Sequence, residues 1–377
     1  MSRQTLPPAI PSNDLESYEQ RQNRLQQAQM RRLIQSVLSH GLIILTGLFF
    51  VIPFLWMLLT AFKPDQDVSH TPPRFLPYDY KRVAVNGEML PLYNVQTETG
   101  VKQLALIKIT EGVGEFVDPA QPGTVLKYKI QQGKTRIAAP IEEISFRWQN
   151  FSDAMQRGSR PSVGASFWVY LKNSLIIAFF SIVGTLFSNT PVAYAFARIK
   201  FPGRDLLFIL VLATMMLPFQ VTMIPLYIMF NDILGWGDSF LPLIIPTFFA
   251  NAYDVFLLRQ FFRTIPEEMC DAARVDGASE WDIFTRVILP LSTPVLATIT
   301  VFTFLWAWND FTGPLLFLNS AKNFTMALGL QDFQGQHTMV WNQMMAAATV
   351  FTIPIVIAFF FAQKTFIQGI KLTGLKE

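Results

Sequence analysis

The sequence predicts an all-α polytopic membrane protein of six transmembrane helices, with a small β-rich external insert between helices 1 and 2. Three observations carry this reading. Of 377 residues, 51% are hydrophobic and only 15% charged, with 35 Phe. Six apolar segments reach the roughly 20 residues a helix needs to cross a hydrocarbon core about 30 Å thick. One long stretch, 63–166, departs from that pattern in composition. A formal net charge of +3 implies no nucleic-acid partner, so what matters is where the charges lie.

The elements follow in chain order. Residues 1–37 form an N-terminal segment whose first 30 residues, rich in Gln, Pro, Ser and charge, read as disordered before a basic helix at the membrane. The first span, 38–62, is too long for a cleaved signal peptide and lacks a small-residue cleavage site. Within 63–166, Val101–Ile109 alternates in part, Val125–Ile130 reads similarly, and Asn86-Gly87 is a hairpin-turn signal. These place the β-rich insert at about 78–146, and Gln149–Arg157 reads as a short interfacial helix. Residues 167–366 hold the remaining spans, at about 168–196, 205–230, 240–262, 291–318 and 344–366, and residues 367–377 are a tail.

Orientation follows from the short loops. Arg21, Arg24, Arg31 and Arg32 precede the first span, and Arg198, Lys200 and Arg204 follow the second. Arg259 and Arg263 precede the loop 265–290, Arg274 and Arg286 lie in it, and Lys364, Lys371 and Lys376 follow the last span. On the opposite side, 231–239 has no basic residue and 319–342 only Lys322. Both termini and the loop 265–290 are therefore expected in the cytoplasm. Each span contains proline (Pro53, Pro191, Pro218 and Pro225, Pro242 and Pro246, Pro294 and Pro314, Pro354), which kinks helices either for packing or for mechanical movement. No inverted repeat relates the two halves, which disfavours many secondary-transporter folds.

The loop 265–290 holds the most informative residues. Pro266 suits a first helical turn, with Glu267 and Glu268 complementing the helix dipole. Gly277 supplies a stop, and Ser279 with Asp282 reads as a capping-box restart that Pro290 closes. Trp281, Phe284 and Val287 or Ile288 fall on one apolar face. Ala272 and Ala273 leave a shallow surface that another protein can approach. The plainer alternative is an amphipathic connector resting on the headgroups.

Asp271-Ala272-Ala273, Gly277, Val287, Leu289 and Pro290 resemble, in spacing throughout, the EAA loop of binding-protein-dependent ABC importer permeases. That pattern is Glu-Ala-Ala, three residues, Gly, nine residues, Ile, any residue, Leu-Pro; Asp271 and Val287 depart from it while keeping charge or apolar character. The likeness covers most of 165–377 and narrows to carbohydrate permeases of the MalG type. It is carried by Asn173-Ser174-Leu175, the run Ala193–Arg198, Trp308-Asn309-Asp310-Phe311, Thr325–Leu330, Trp341, Ala346–Ala348 and the tail Gln368–Gly374. The insert departs from MalG and is similar to longer relatives in α-glucoside and glucosylglycerol importers.

The resemblance implies the type I ABC importer permease fold in a bacterial plasma membrane. It also implies a non-catalytic subunit that translocates a carbohydrate with a MalF-like second permease, two ATP-binding subunits that carry ATP and Mg, and an extracytoplasmic solute-binding protein. No cofactor is expected in this chain. Asp271, Ala272, Ala273, Asp276, Gly277, Leu289 and Pro290 would make the ATPase-coupling contact. Leu328, Gly329, Leu330 and Gln331, in a loop reaching Gly335, would contact the binding protein. The tail after Ile367 would lie against the ATPase subunits. In the maltose system the partner permease holds most of the substrate, so a sugar site here stays open.

Polar residues inside spans are pathway candidates: Asn251 and Asp254 near the middle of span four, and Asn309 and Asp310 toward the external end of span five. Asn189 and Gln220 lie within spans two and three. The amides serve equally as bonds between helices, and Asp310 as a group reaching the external interface. An ion-coupled secondary transporter with its proton site at Asp254 or Asp310 is the alternative reading. Gly133-Lys134-Thr135 lacks the first glycine of a phosphate loop, since position 128 is Tyr128. His40, His70 and His337 are too far apart to suggest a metal site, and Cys270, the one cysteine, rules out an internal disulfide.

Overall fold

A computed structural model describes residues 12–97, 100–132, 135–157, 165–333 and 340–374. The chain divides into two units, Met1–Trp56 and Met57–Glu377. Helix α1 runs Ser12–Ala61. It starts well before the expected membrane entry. After Pro11 no proline or glycine occurs until Gly41, and Gln, Glu, Arg, Leu and Ala dominate the stretch, so backbone propensity favours a helix where composition alone suggested disorder. Its apolar side chains from Leu33 to Phe54 are largely exposed.

After the end of α1 the second unit continues with a short helix, α2 (Asp65–Val68), and then, among the described residues, ten strands. They are β1 (Tyr78–Tyr80), β2 (Arg82–Val85), β3 (Glu88–Thr97), β4 (Gly100–Thr110), β5 (Val113–Asp118), β6 (Gln121–Lys129), β7 (Gln131–Gln132), β8 (Thr135–Arg136), β9 (Ala138–Pro140) and β10 (Glu142–Ile144). Strands β2 to β6 form an antiparallel meander in sequence order, β9 adds to β3, and β7 pairs with β8. Asn86 and Gly87 both take positive φ, 50° and 88°, as a two-residue hairpin turn demands, and Glu111-Gly112 does the same at 52° and 79°. Alternation aims Tyr93, Val95, Leu104, Leu106 and Phe116 into one core. The ribbon of β1 with β10 (Tyr78↔Ile144) brings the insert's ends together. Ion pairs Arg74–Glu142 at 2.5 Å and Arg147–Asp79 at 3.5 Å brace that base.

The helical part begins with α3 (Gln149–Arg157) and α4 (Phe167–Arg198), then α5 (Arg204–Thr214) and α6 (Phe219–Tyr227), which a π-helical turn extends to Ile233. Next come α7 (Leu241–Ile244) with a 3-10 turn to Phe248, α8 (Ala252–Thr264), α9 (Glu267–Val275), and α10 (Glu280–Asp282) with a π turn to Ile288. Then follow α11 (Leu289–Leu291), α12 (Thr293–Asn309), α13 (Thr312–Phe317), α14 (Met326–Asp332) and α15 (Trp341–Gly374). Among the described residues four helices are long and apolar enough to cross a membrane: Gln29–Ala61, Phe167–Arg198, Leu241–Thr264 and Trp341–Gln363. Two bent pairs raise this to six if each is one span: Arg204–Thr214 with Phe219–Ile233 at 87°, and Glu280–Leu291 with Thr293–Asn309 at 76°. Prolines mark both bends: Leu217 leaves the helix before Pro218, which caps α6, and Pro294 sits in the first turn of α12, where its missing N–H costs nothing.

Helix α4 is the hub, packed on α8, α12 and α14. It approaches the 3-10 turn so closely at Gly184 that a Cβ there would lie 2.4 Å from Thr247 Oγ1 and 2.6 Å from the Phe248 ring. Gly184→Val is therefore expected to force these elements apart, costing about 1–3 kcal/mol. Thermal unfolding of the detergent-purified protein should show a lower midpoint; an unchanged midpoint would mean that this contact does not matter.

Candidate functional site

The segment 265–290 is built by caps at each turn of the chain. Pro266 sits extended before α9, and Glu267 and Glu268 fill its first turn. At the other end Gly277 is left-handed, with φ 85°, a conformation that costs a side chain energy but glycine little. The Ala278 N–H reaches back to the Ala273 carbonyl at 2.9 Å and the Asp276 N–H to that of Ala272 at 3.0 Å, closing the helix. Ser279 and Asp282 then form a full capping box.

One side of this segment is keyed into the protein. Cys270, Ile283, Phe284 and Ile288 are buried in a cluster with Val255, Leu258, Phe262 and Ile265 from the α8 region and Ala193, Tyr194 and Phe196 from α4. Burial pushes the Cys270 thiol up, marking it as a packing group rather than a reactive one. The Tyr194 hydroxyl donates to the Glu280 carboxylate at 2.5 Å. Arg274 donates to Glu280 at 3.0 Å and to Asp271 at 2.7 Å, and Glu280 first, then Asp271, holds its guanidinium charged. The Arg198 guanidinium binds the Phe262 and Ile265 carbonyls at the end of α8. Arg274, Glu280 and Tyr194 thus lock the two loop helices to each other and to α4, and Arg198 ties the end of α8 to the same helix.

The other side faces outward. Asp271, Ala272, Asp276, Gly277 and Pro290 are exposed, Ala273 and Leu289 half-buried. Val275, at 88% exposure, is a large apolar group that the sequence pattern does not single out, and Trp281 is 66% exposed. Trp281 does not share the buried face expected of it. The π turn adds a residue per turn, so the buried set is Ile283, Phe284 and Ile288, and Trp281 touches Phe284 from outside, with ring centroids 5.4 Å apart. No periodicity at 3.6 residues could have shown that.

The polar candidates fall into two separate places. Asn189, Asn251 and Asp254 meet where the chain breaks before α8. Asn251 caps the helix by accepting from the Asp254 N–H at 2.9 Å and donates to the Asp254 carboxylate, while its own N–H donates to Asn189 Oδ1 at 2.8 Å. Asp254 is buried; Asn251, Phe249 and Tyr253 are exposed. Asn309 donates to the Leu305 carbonyl at 2.8 Å, and Asp310 accepts from the Gly313 N–H at 3.0 Å to open α13. Gln220 is exposed on α6.

Leu328 to Gln331 form part of helix α14 rather than a loop. Leu328 and Gly329 are buried, Leu330 is half-buried and Gln331 exposed, so the predicted contact set presents mainly Gln331. Thr325 caps the helix, and its first N–H, that of Met326, donates to Ser174 Oγ at 2.9 Å. Gly335 and the end of the chain beyond Gly374 lie outside the described residues.

Tyr194→Phe deletes the hydroxyl that reaches Glu280 at the cost of about 1 kcal/mol, since Glu280 is half in water. Amide exchange across 267–282 is expected to speed up roughly fivefold. Unchanged protection would show that the tie to α4 carries no load.

The family described as binding-protein-dependent transport system inner membrane component matches residues 189–372, which includes the whole loop. The arabinooligosaccharides transport system permease protein AraQ of Bacillus subtilis is 33% identical over 213 residues, 56% of this chain and 75% of AraQ. The sn-glycerol-3-phosphate transport system permease protein UgpE of Salmonella choleraesuis is 37% identical over 208 residues, 55% and 73% of the two chains. In fold, the chain is similar to one in a bacterial ABC transporter involved in the import of the acidic polysaccharide alginate, with TM-score 0.59, 18% identity, and 88% and 96% of the two chains covered. That is the type I ABC importer permease fold, and this chain belongs to the family of binding-protein-dependent ABC transporter permeases.

Proposed function

We propose that this chain is one permease subunit of a carbohydrate importer, crossing the plasma membrane six times with both termini in the cytoplasm. Its substrate class is an oligosaccharide, α-glucoside or glucosyl-polyol; the arabinooligosaccharide and alginate named for similar proteins are carbohydrates, and glycerol phosphate is a polyol derivative. Its partners are a MalF-like second permease, two ATP-binding subunits that bring ATP and Mg, and an extracytoplasmic solute-binding protein.

The observation that carries the proposal is the two-sidedness of α9. Its outer side exposes Asp271, Ala272 and Val275 to a protein cleft, its inner side buries Cys270 in the cluster with α4 and α8, and Arg274 ties it through Glu280 and Tyr194 to α4. A helix that merely rested on headgroups would need no such ties. When the ATP-binding subunits close, the cleft carries α9 and α10 with it, and the ties pass the displacement to α4 and α8. Binding energy that differs between the two ATPase states then selects between inward and outward openings, which is alternating access. The break at Phe249–Asn251 supports a pathway wall there. Interrupted backbone at membrane depth is tolerated only against protein or a wet cavity, and Phe249, Asn251 and Tyr253 are exposed within this chain. Asn309 and Asp310 would line the same path nearer the outside.

Affinity purification from native membrane in mild detergent tests this reading. Wild type should bring down an ATP-binding subunit, a second permease and a binding protein. Asp271→Lys with Gly277→Trp, and separately Val275→Glu, should lose the ATPase while keeping the second permease. A chain that purifies alone and transports after reconstitution on a proton gradient would overturn it.

A further inference from the structure

Asp238 lies between the π turn that ends at Ile233 and α7, and bonds to a segment some eighty residues later in the chain. Its Oδ1 accepts from the Asn319 N–H at 2.9 Å and the Ser320 N–H at 2.8 Å, and its Oδ2 accepts from the Ser320 hydroxyl at 2.5 Å. Its own N–H donates to the Phe317 carbonyl at 2.9 Å, and its own carbonyl accepts from Asn323 Nδ2 at 2.7 Å. Every polar atom of the residue is engaged with 317–323. Beneath it, Trp236 stacks on Phe230 at 5.5 Å, Tyr227 stacks on Phe317 at 6.0 Å, and Phe230 meets Phe317 edge-on at 5.8 Å.

The clasped segment is then handed on. Asn173, near the start of α4, donates to the Lys322 and Phe324 carbonyls at 2.9 and 3.0 Å, and Ser174 receives the first N–H of α14. The segment 319–325 is thus pinned from Asp238 on one side and α4 on the other, and it fixes where α14 begins. Asp238 holds φ 52°, a region glycine would occupy more easily, so the local backbone alone does not call for an aspartate. Burial would raise its carboxyl, but the bonds from Ser320 and Asn319 outweigh it and hold the group well below the usual carboxylate range, charged at any physiological pH.

We propose that Asp238 is a positioning residue: it clasps the 231–240 loop to the 317–323 segment, so that α14 is presented in one orientation to the solute-binding protein. This rests on the reading of α14 as the binding-protein contact given above. The clasp also makes the loop after the third span move as one body with the start of α14.

The test uses the intact complex in lipid nanodiscs, with the binding protein captured alongside it, and reads ATP hydrolysis against binding-protein concentration together with amide exchange over 319–331. Asp238→Gly keeps the backbone conformation and deletes the carboxylate. It is expected to raise the half-saturating binding-protein concentration about tenfold, with the rate at saturation little changed, and to speed exchange in the segment. Asp238→Asn keeps an acceptor for the two N–H groups and should shift half-saturation only about threefold; it stands in if the glycine variant is poorly recovered. Gln331→Arg, on the exposed side of α14, tests the contact reading by itself. If Gln331→Arg weakens stimulation and Asp238→Gly does not, the clasp is overturned and the contact stands. If Gln331→Arg and Asp238→Gly both leave half-saturation unmoved while exchange speeds up, the contact reading has failed, and the proposal with it.

Discussion

A helix that stops inside or beside a hydrocarbon layer leaves N–H and C=O groups that water does not reach, each costing several kcal/mol unless something bonds it. This protein stops its helices often, although Pro53, Pro191 and Pro354 lie inside unbroken helices, and the solution recurs: a side chain from a distant element supplies the missing partner. Asn189 receives the N–H of Asn251, Ser174 that of Met326, and Asp238 those of Asn319 and Ser320. On the acceptor side, Asn150 bonds the Ala61 and Lys63 carbonyls, Asn342 also bonds that of Lys63, and Arg198 bonds those of Phe262 and Ile265. Each repair is also a long-range tie, so the chemistry that makes breaks tolerable fixes which elements move together.

Helix α4 collects these ties. Asn173 and Ser174 at one end hold the start of α14, Asn189 holds the break before α8, and Tyr194 and Arg198 at the other end hold the loop helices and the end of α8. Its 32 residues span about 48 Å at 1.5 Å per residue. A rod tied at both ends transmits a push on α9 to α14 without any change in its own backbone. In the proposed importer this gives ATP-driven closure inside and binding-protein engagement outside a common physical connection, as reciprocity between coupled sites requires.

What could be read from the residues was what local rules govern. Asn86-Gly87 made a turn because few residues accept positive φ twice running, and Ser279 with Asp282 made a capping box because the spacing alone suffices. Gly277 stopped α9 for the same reason that glycine stops helices elsewhere. The hidden parts depend on partners far along the chain or on a change of helical period. The π turn at Ile283–Ile288 shifted the buried face off Trp281, and Asp238 resembled an ordinary polar loop residue because its ligands lie some eighty positions away. The early start of α1 follows from the absence of helix breakers between Pro11 and Gly41, a local signal that the polar composition masks.

The two carboxylates that an ion-coupled mechanism would need are better accounted for by the same constraint. Asp254 sits buried in the first turn of α8, and Asn251 Nδ2 reaches its carboxyl group. Asp310 accepts the Gly313 N–H at the opening of α13, and a Cβ on Gly313 would fall 2.4 Å from its Oδ2, so the carboxylate fills a space cut for it. A proton carrier has to exchange its proton with both sides of the membrane and reorganise its bonds as it does so. Each carboxyl is instead engaged within its own turn, Asp254 with Asn251 and Asp310 with the Gly313 N–H. Their positions follow from two broken helices that need closing, which is also what a pathway wall built from interrupted spans requires.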